Sequence, residues 1–291
     1  MRSLTLFLIA FSSVIPSFHG LAQEKLEAYR IYSSNGKVVS FEEMTRVLAK
    51  NDVVLFGEMH NNPIDHWLQI ELVKALDEAH NLVLGAEMFE RDDQLVLFEY
   101  LSGTIRLEHF KKEAKLWPNY DTDYAPLIEF AKENDLQFIA TNVPRRYASL
   151  VASKGPLALD SLDEEAKRFL PQLSLVVDTA DVGYNDMREM MGGHGHGMNI
   201  ENLIAAQALK DYTMAINIIR FRSEKDLFVH FNGSFHSQKF SGINTYLKKL
   251  DPLLKVGVIA STESETLAFQ DDWKELGDFI IVTHTSMTKT H

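Results

Sequence analysis

Val53-Val54-Leu55-Phe56-Gly57-Glu58-Met59-His60-Asn61-Asn62-Pro63 is an apolar run that breaks into a cluster of polar side chains, and it decides how the chain is read. Four consecutive apolar residues, two of them β-branched, suit a strand buried on both faces. Pro63 suits the first turn of a helix, because its missing N–H is one that a helix start leaves unbonded anyway. Ile64, Leu68, Leu72, Leu76 and Ala79 then fall at helical spacing, and Leu82-Val83-Leu84 opens a second apolar run. Strand, helix, strand is the repeating unit of a parallel sheet covered by helices on both sides.

Outward from this unit, further short runs occur at Phe138-Ile139-Ala140, Leu227 to Phe231, Val256 to Ala260 and Phe279 to Val282. The expected fold is α/β, a mostly parallel β-sheet flanked by helices. The interval from about 91 to 212 reads differently: it is mostly helical, with one strand near Phe138, and is punctuated by Trp117-Pro118, Lys154-Gly155-Pro156 and the glycine- and histidine-rich Met191 to Met198. It is expected to be a smaller helical insertion or subdomain within one α/β domain spanning 23–291. No repeat at 20 to 50 residues interrupts this reading.

The 291 residues carry 29 Lys+Arg against 41 Asp+Glu, a net charge of −12, and no cysteine. A chain of this length buries enough surface to fold without covalent staples. The lack of cysteine excludes disulfides, thiolate metal sites, thiol nucleophiles and a lipidated N-terminal cysteine. The acidic balance, with no concentrated basic face, argues against nucleic acid and anionic membrane as partners. Residues 1–22 stand apart: Arg2, an apolar run from Leu4 to Ile15 broken by Thr5, Ser12 and Ser13, then Pro16 and Gly20-Leu21-Ala22. That order is a secretory signal peptide, and its apolar stretch is shorter than the ~20 residues a bilayer requires. The expectation is cleavage near Ala22, no transmembrane span, and a soluble periplasmic or secreted product.

In a parallel sheet, ligands gather beyond the carboxyl ends of the strands. The residues expected there are polar: Gly57-Glu58-Met59-His60 after the first run, Ala86-Glu87 after the second, Thr141-Asn142-Val143-Pro144-Arg145-Arg146 after the third, and Gly233-Ser234-Phe235-His236 after the fourth. Two segments share a Gly-x-x-His form, in which glycine permits a tight turn and the histidine swings back over the sheet edge. Glu58, His60, Glu87 and His236 could converge there, to hold a divalent metal or to divide acid and base roles. Singly, each has a plainer role: His60 could cap the helix at Pro63, and Glu87 could be a solvated loop carboxylate. Nucleophile-elbow, zinc-helix and phosphate-loop motifs are absent from the sequence.

Taken in order, Leu55 to Pro63, Ala86-Glu87-Met88-Phe89, Trp117-Pro118-Asn119-Tyr120, Tyr124-Ala125-Pro126-Leu127, Asn142-Val143-Pro144-Arg145, His196-Gly197-Met198, Ala206-Gln207 and Gly233-x-x-His236 resemble the ChaN family. That family comprises iron-regulated haem-binding proteins, in a superfamily with the Tiki metalloproteases and erythromycin esterases. The resemblance implies a parallel α/β domain with a smaller helical part, and haem held by a tyrosine ligand. Many relatives are lipoproteins, and this chain, lacking cysteine, departs from them.

Haem requires an apolar slot, an axial ligand and cations for its propionates. The candidates are Tyr120, Tyr124, Tyr147 and Tyr184 as ligands, His194 and His196 beside Met190, Met191 and Met198, and Arg145 and Arg146 as propionate partners. Two functions remain open. One is an exported haem-binding protein of iron and haem acquisition, with haem and a second copy, as a homodimer, for partners. The other is a metal-dependent hydrolase using Glu58, His60, Glu87 and His236. An inert scaffold is the third reading.

Overall fold

The computed structural model describes residues 27–171, 177–192 and 199–291. Among these, seven strands form one sheet: β1 (Tyr29–Ser33), β2 (Val53–Glu58), β3 (Asn81–Glu90), β4 (Gln137–Asn142), β5 (Asp226–Gly233), β6 (Val256–Ser264) and β7 (Phe279–His284), in the order β1-β7-β6-β2-β5-β3-β4. Only β1 runs antiparallel, against β7. The fold is therefore α/β and mostly parallel. The short, half-polar strand Tyr-Arg-Ile-Tyr-Ser of β1 lacks the continuous apolar character of its neighbours, and sequence reasoning did not find it.

The helices are α1 (Phe41–Leu48), α2 (Pro63–Asp77), α3 (Gln94–Leu101), α4 (Leu107–Glu113), α5 (Ala125–Glu133), α6 (Arg145–Lys154), α7 (Glu164–Lys167), α8 (Val182–Gly192), α9 (Ile200–Phe221) and α10 (Ile243–Leu250). Alternate strand residues divide them between two faces. Val54, Phe56, Leu84 and Val229 pack beneath α1 to α5, whereas Val53, Leu55, Val83 and Phe228 pack beneath α8, α9 and α10. Burial on both sides is why these strands read as unbroken apolar runs rather than alternating ones. A third cluster, of Val143, Tyr147, Ala148 and Val151 with Ala205, Ala206 and Leu209, seats α6 on α9.

Strand order positions the site. From β2 the chain crosses through α2 on the first face to β3, skipping a place that β5 later fills. From β5 it crosses through α10 on the other face to β6, on the far side of β2. Connections leaving neighbouring strands in opposite directions open a crevice at their carboxyl ends. One expectation is corrected: β3 continues to Glu90, with an irregular register against β4 between Ala86 and Glu90, so Glu87 lies within a strand and is not a loop residue.

Candidate functional site

Two networks meet in that crevice. The first is built on β2 and α2. Glu58 ends β2, and Asn62 caps α2 by accepting the Ile64 N–H at 3.0 Å, with Pro63 in the first turn. The intervening loop carries His60, whose Nδ1 donates to Glu58 Oε1 at 2.8 Å. Tyr124, at the end of the π-turn Tyr120–Tyr124, donates to the same oxygen at 2.7 Å, and Gln69 on α2 donates to Oε2 at 2.5 Å. Burial alone would raise the Glu58 carboxyl; the hydrogen bond from His60 and the charges of His66 and His60 outweigh it and hold it below its usual range. In turn, burial lowers His60, but Glu58 and Glu87 overcome this and raise it. Its side chain keeps 36% exposure while that of Glu58 has none.

The second network is built on β3, β5 and α9. Glu87 accepts the Gly233 N–H at 2.8 Å through one oxygen and lies 3.0 Å from His236 Nε2 through the other. His236 Nδ1 bonds Asp211 on α9, and Tyr184 on α8 donates to the other Asp211 oxygen at 2.7 Å. Both imidazole nitrogens therefore face carboxylates. Burial works to neutralise His236, and the two carboxylates override it, pushing its pKa up to about 10, while Glu87 is held far below its usual range. The networks touch at Gly233, where an added Cβ would lie 2.6 Å from His60 Nε2 and 3.5 Å from Glu87 Oε2.

Above them lies a cavity of about 780 Å³ with His60, Glu58, Glu87 and His236 on its polar side and Met187, Met190 and Met191 of α8, with Leu203 and Ala206 of α9, on its apolar side. Trp117 stands at one wall with its ring 4.8 Å from that of His60. Two cations line it, Arg145 and Lys210, and neither has a carboxylate within ion-pair reach among the described residues.

The predicted site residues thus separate into groups. Glu58, His60, Glu87 and His236 do come together, but paired with one another and with Asp211. No group of three or more His, Asp or Glu side chains able to hold a metal ion exists among the described residues, so the divalent-metal expectation finds no ligand set there. The reason is visible in the hydrogen bonds: every carboxylate oxygen of Glu58 and Glu87 already takes a partner. All four tyrosine candidates are buried. Tyr120 packs against Phe89 and Phe110, Tyr124 and Tyr184 donate to carboxylates, and Tyr147 sits between α6 and α9 with its hydroxyl 3.2 Å from Arg146. Of the four, only Tyr184 lines the cavity. Burial, and for Tyr124 and Tyr184 the neighbouring carboxylates, raise the phenol pKa values of Tyr120, Tyr124 and Tyr184. Arg146 pairs with Asp92 at 2.5 Å and leaves Arg145 as the cavity's arginine. His194 and His196 lie outside the described residues, as do residues 1–22.

Sequence reasoning missed Asp211, Gln69 and Lys210. A signal existed for the first two. Asp211 interrupts the stripe Ile204, Ala208, Ala215 and Ile218 at helical spacing, and Gln69 interrupts that of Leu68, Leu72 and Leu76; both are fully buried. A polar residue on the apolar face of a helix must be satisfied by a partner in the core.

The chain belongs to the haem-binding uptake family of ChaN, in the Tiki superfamily, whose model matches residues 44–247. Among solved structures it is similar to ChaN of Campylobacter jejuni, described with cofacial haem binding, at 20% identity over 88% of this chain and 97% of that one, with a TM-score of 0.66. A Bacillus cereus protein is similar at 10% identity, over 88% and 95% of the two chains, with a TM-score of 0.51. An erythromycin esterase, EreC, matches at 14% identity over 81% and 77%, with a TM-score of 0.47. At such identities the first two likenesses are ones of fold. No curated protein matches the chain. No helix among the described residues is long and apolar enough to cross a membrane.

Proposed function

We propose that this protein is an exported haem-binding protein of iron and haem acquisition, and that haem occupies the cavity over His60. The observation that carries this is a half-exposed imidazole, anchored by a buried carboxylate, at the floor of an apolar cavity of about 780 Å³. That volume falls within the ~300–1,000 Å³ of small-molecule sites. Arg145 and Lys210 meet the requirement for propionate partners. Bound haem supplies an iron that takes an axial nitrogen or oxygen ligand.

His60 is the ligand this arrangement supports. The Nδ1–H bond to Glu58 fixes its tautomer and leaves Nε2 as the free nitrogen, and a carboxylate behind a ligating imidazole increases its basicity. A Tyr184 phenolate would instead face the Asp211 carboxylate. This assigns to His60 the role that the family resemblance gave to a tyrosine. Ligation needs neutral imidazole, so haemin affinity should rise as pH passes upward through the raised His60 pKa. Export rests on the order of residues 1–22, and homodimerisation on no contact described above.

The test is titration with haemin followed in visible absorbance. His60→Ala should remove the ligand-dependent band, Arg145→Gln should weaken binding by about tenfold for one lost charged hydrogen-bond partner, and Tyr184→Phe should leave the spectrum alone. An unchanged spectrum in His60→Ala, with a changed one in Tyr184→Phe, would return the ligand to tyrosine. A parent with no saturable haemin binding would overturn the haem reading.

The Glu58–His60 pair also favours a second reading, hydrolysis of a bound ester. His60 Nε2 would take the proton of the attacking water while its Nδ1–H stays bonded to Glu58, and would return that proton to the alcohol oxygen as the ester C–O bond breaks, a general base and then acid oriented by a carboxylate. Turnover of nitrophenyl esters that is lost in His60→Ala and Glu58→Gln would support it; activity that survives both would exclude it.

A further inference from the structure

The last turns of α9, beyond Tyr212, take no part in the site above. Thr213, Asn217 and Arg220 instead line a separate cavity of about 550 Å³, beside the edge strand β4, together with Arg91, Arg168 and Phe169. Three guanidinium groups thus converge on one cavity in a chain whose net charge is −12.

Arg91 is the most enclosed of the three. Its Nη1 donates to Gln94 Oε1 at 3.1 Å and to the Ala140 carbonyl of β4 at 2.9 Å, and its other two nitrogens make no hydrogen bond among the described residues. Its Cζ lies 5.3 Å from the centroid of the Phe221 ring, and that of Arg220 lies 5.5 Å from the same ring. Neither has a carboxylate within ion-pair reach among the described residues. Desolvation and the charge of Arg220 both draw Arg91 below its usual range, which is the mark of a cation without a counterion. Arg168 is held by exposed Glu165 at 2.6 Å, a surface pair that exchanges at little cost. Beside these cations, Ile216, Ile219 and Leu250 form an apolar wall.

A half-buried guanidinium with unused donors is unfavourable until an acceptor completes it. Its planar fork matches the two oxygens of a carboxylate or phosphate. We infer that this cavity is a second binding site, separate from the crevice over His60, for an oxyanion carried on an apolar chain, with Arg91 and Arg220 gripping the anionic head. The head could be a carboxylate or a phosphate monoester, and the two differ in the geometry and charge they offer the same fork.

Decanoate, decyl phosphate and inorganic phosphate, each titrated calorimetrically into the protein at pH 7, test this. Saturable one-site binding of decanoate or decyl phosphate is expected, and whichever binds tighter identifies the head group. Arg220→Gln, at an exposed position that should not disturb folding, is expected to weaken that binding by about tenfold or more, and Arg220→Lys to lose part of it. Arg91→Gln should do likewise if it folds. Haemin titration of Arg220→Gln should match the parent, which separates this site from the first. Equal affinity in the parent and Arg220→Gln, or no saturable binding of either amphiphile, would overturn the inference. Inorganic phosphate binding as tightly as decyl phosphate would also overturn it, because the apolar wall would then contribute nothing.

Discussion

His60 and His236 share the spelling Gly-x-x-His and stand at adjacent strand ends, yet they are built oppositely. His60 leaves β2 on a loop that Asn62 and Pro63 turn at once into α2, so its ring stays against the cavity with one nitrogen bonded and the other facing Gly233. His236 closes a tight 3₁₀ turn, Ser234–His236, that tucks its ring under α9, where Glu87 and Asp211 occupy both nitrogens. The first imidazole is available for chemistry; the second is a buried cation that holds three elements together. The difference comes from what the turn after each glycine packs against, not from the motif.

The largest effect should come from breaking the buried network. Asp211→Ala leaves the His236 cation with Glu87 as its one carboxylate and removes the acceptor of the Tyr184 hydroxyl, and should cost ~3–5 kcal/mol in urea unfolding. His60→Ala, at a half-exposed position, should cost about 1–3 kcal/mol. Equal losses from the two would erase the distinction.

Next comes pH. The folded pKa of His236 is raised to about 10, against ~6.5 unfolded. Its contribution is complete below ~6.5 and is lost as pH rises toward 10, at up to ~1.4 kcal/mol per unit, since the native state holds the extra proton. Thermal melts of the parent between pH 7 and 10 should therefore fall more steeply than those of His236→Gln.

Asp65 is a test in the opposite sense. Burial lifts it to about 7 despite the Met59 N–H bond. An acid raised in the folded state costs stability progressively as pH rises from its unfolded value of ~3.9 to its folded value, so Asp65→Asn should stabilise the protein by ~1–3 kcal/mol at pH 8, by less at pH 5, and not at all below pH ~3.9. The smallest expected change in stability is that of Gly233→Ala. Its backbone is extended, at φ −58° and ψ 142°, so the only obstacle is the new methyl against the His60 ring. Displacing a half-exposed ring should cost ~1 kcal/mol, while haemin affinity falls sharply; intact affinity would show that Nε2 need not stay where it is.

Much of this was legible in the chain. The apolar runs at Val53, Leu82, Phe138, Leu227, Val256 and Phe279 all became parallel strands, because burial on both faces leaves a compositional mark. The polar residues after them fell at one edge because parallel strands share a direction. Strand order was not legible: nothing in Leu227 to Phe231 says that β5 inserts between β2 and β3, since the choice depends on helices packing on both faces at once. Nor was the burial of the tyrosines, which in sequence differ little from wet ones.

By itself, then, the sequence determined the α/β class and the set of carboxylates and imidazoles at the sheet edge, because strand periodicity and local turn chemistry act over a few residues, and the order of its motifs carried the resemblance to the family. Only the tertiary structure decided which partner each takes. Asp211 reaches His236 across 25 residues, Tyr184 reaches Asp211 across 27, and Tyr124 reaches Glu58 across 66. Burial then sets the charge states, since the same imidazole is a cation between two carboxylates and an available base beside one.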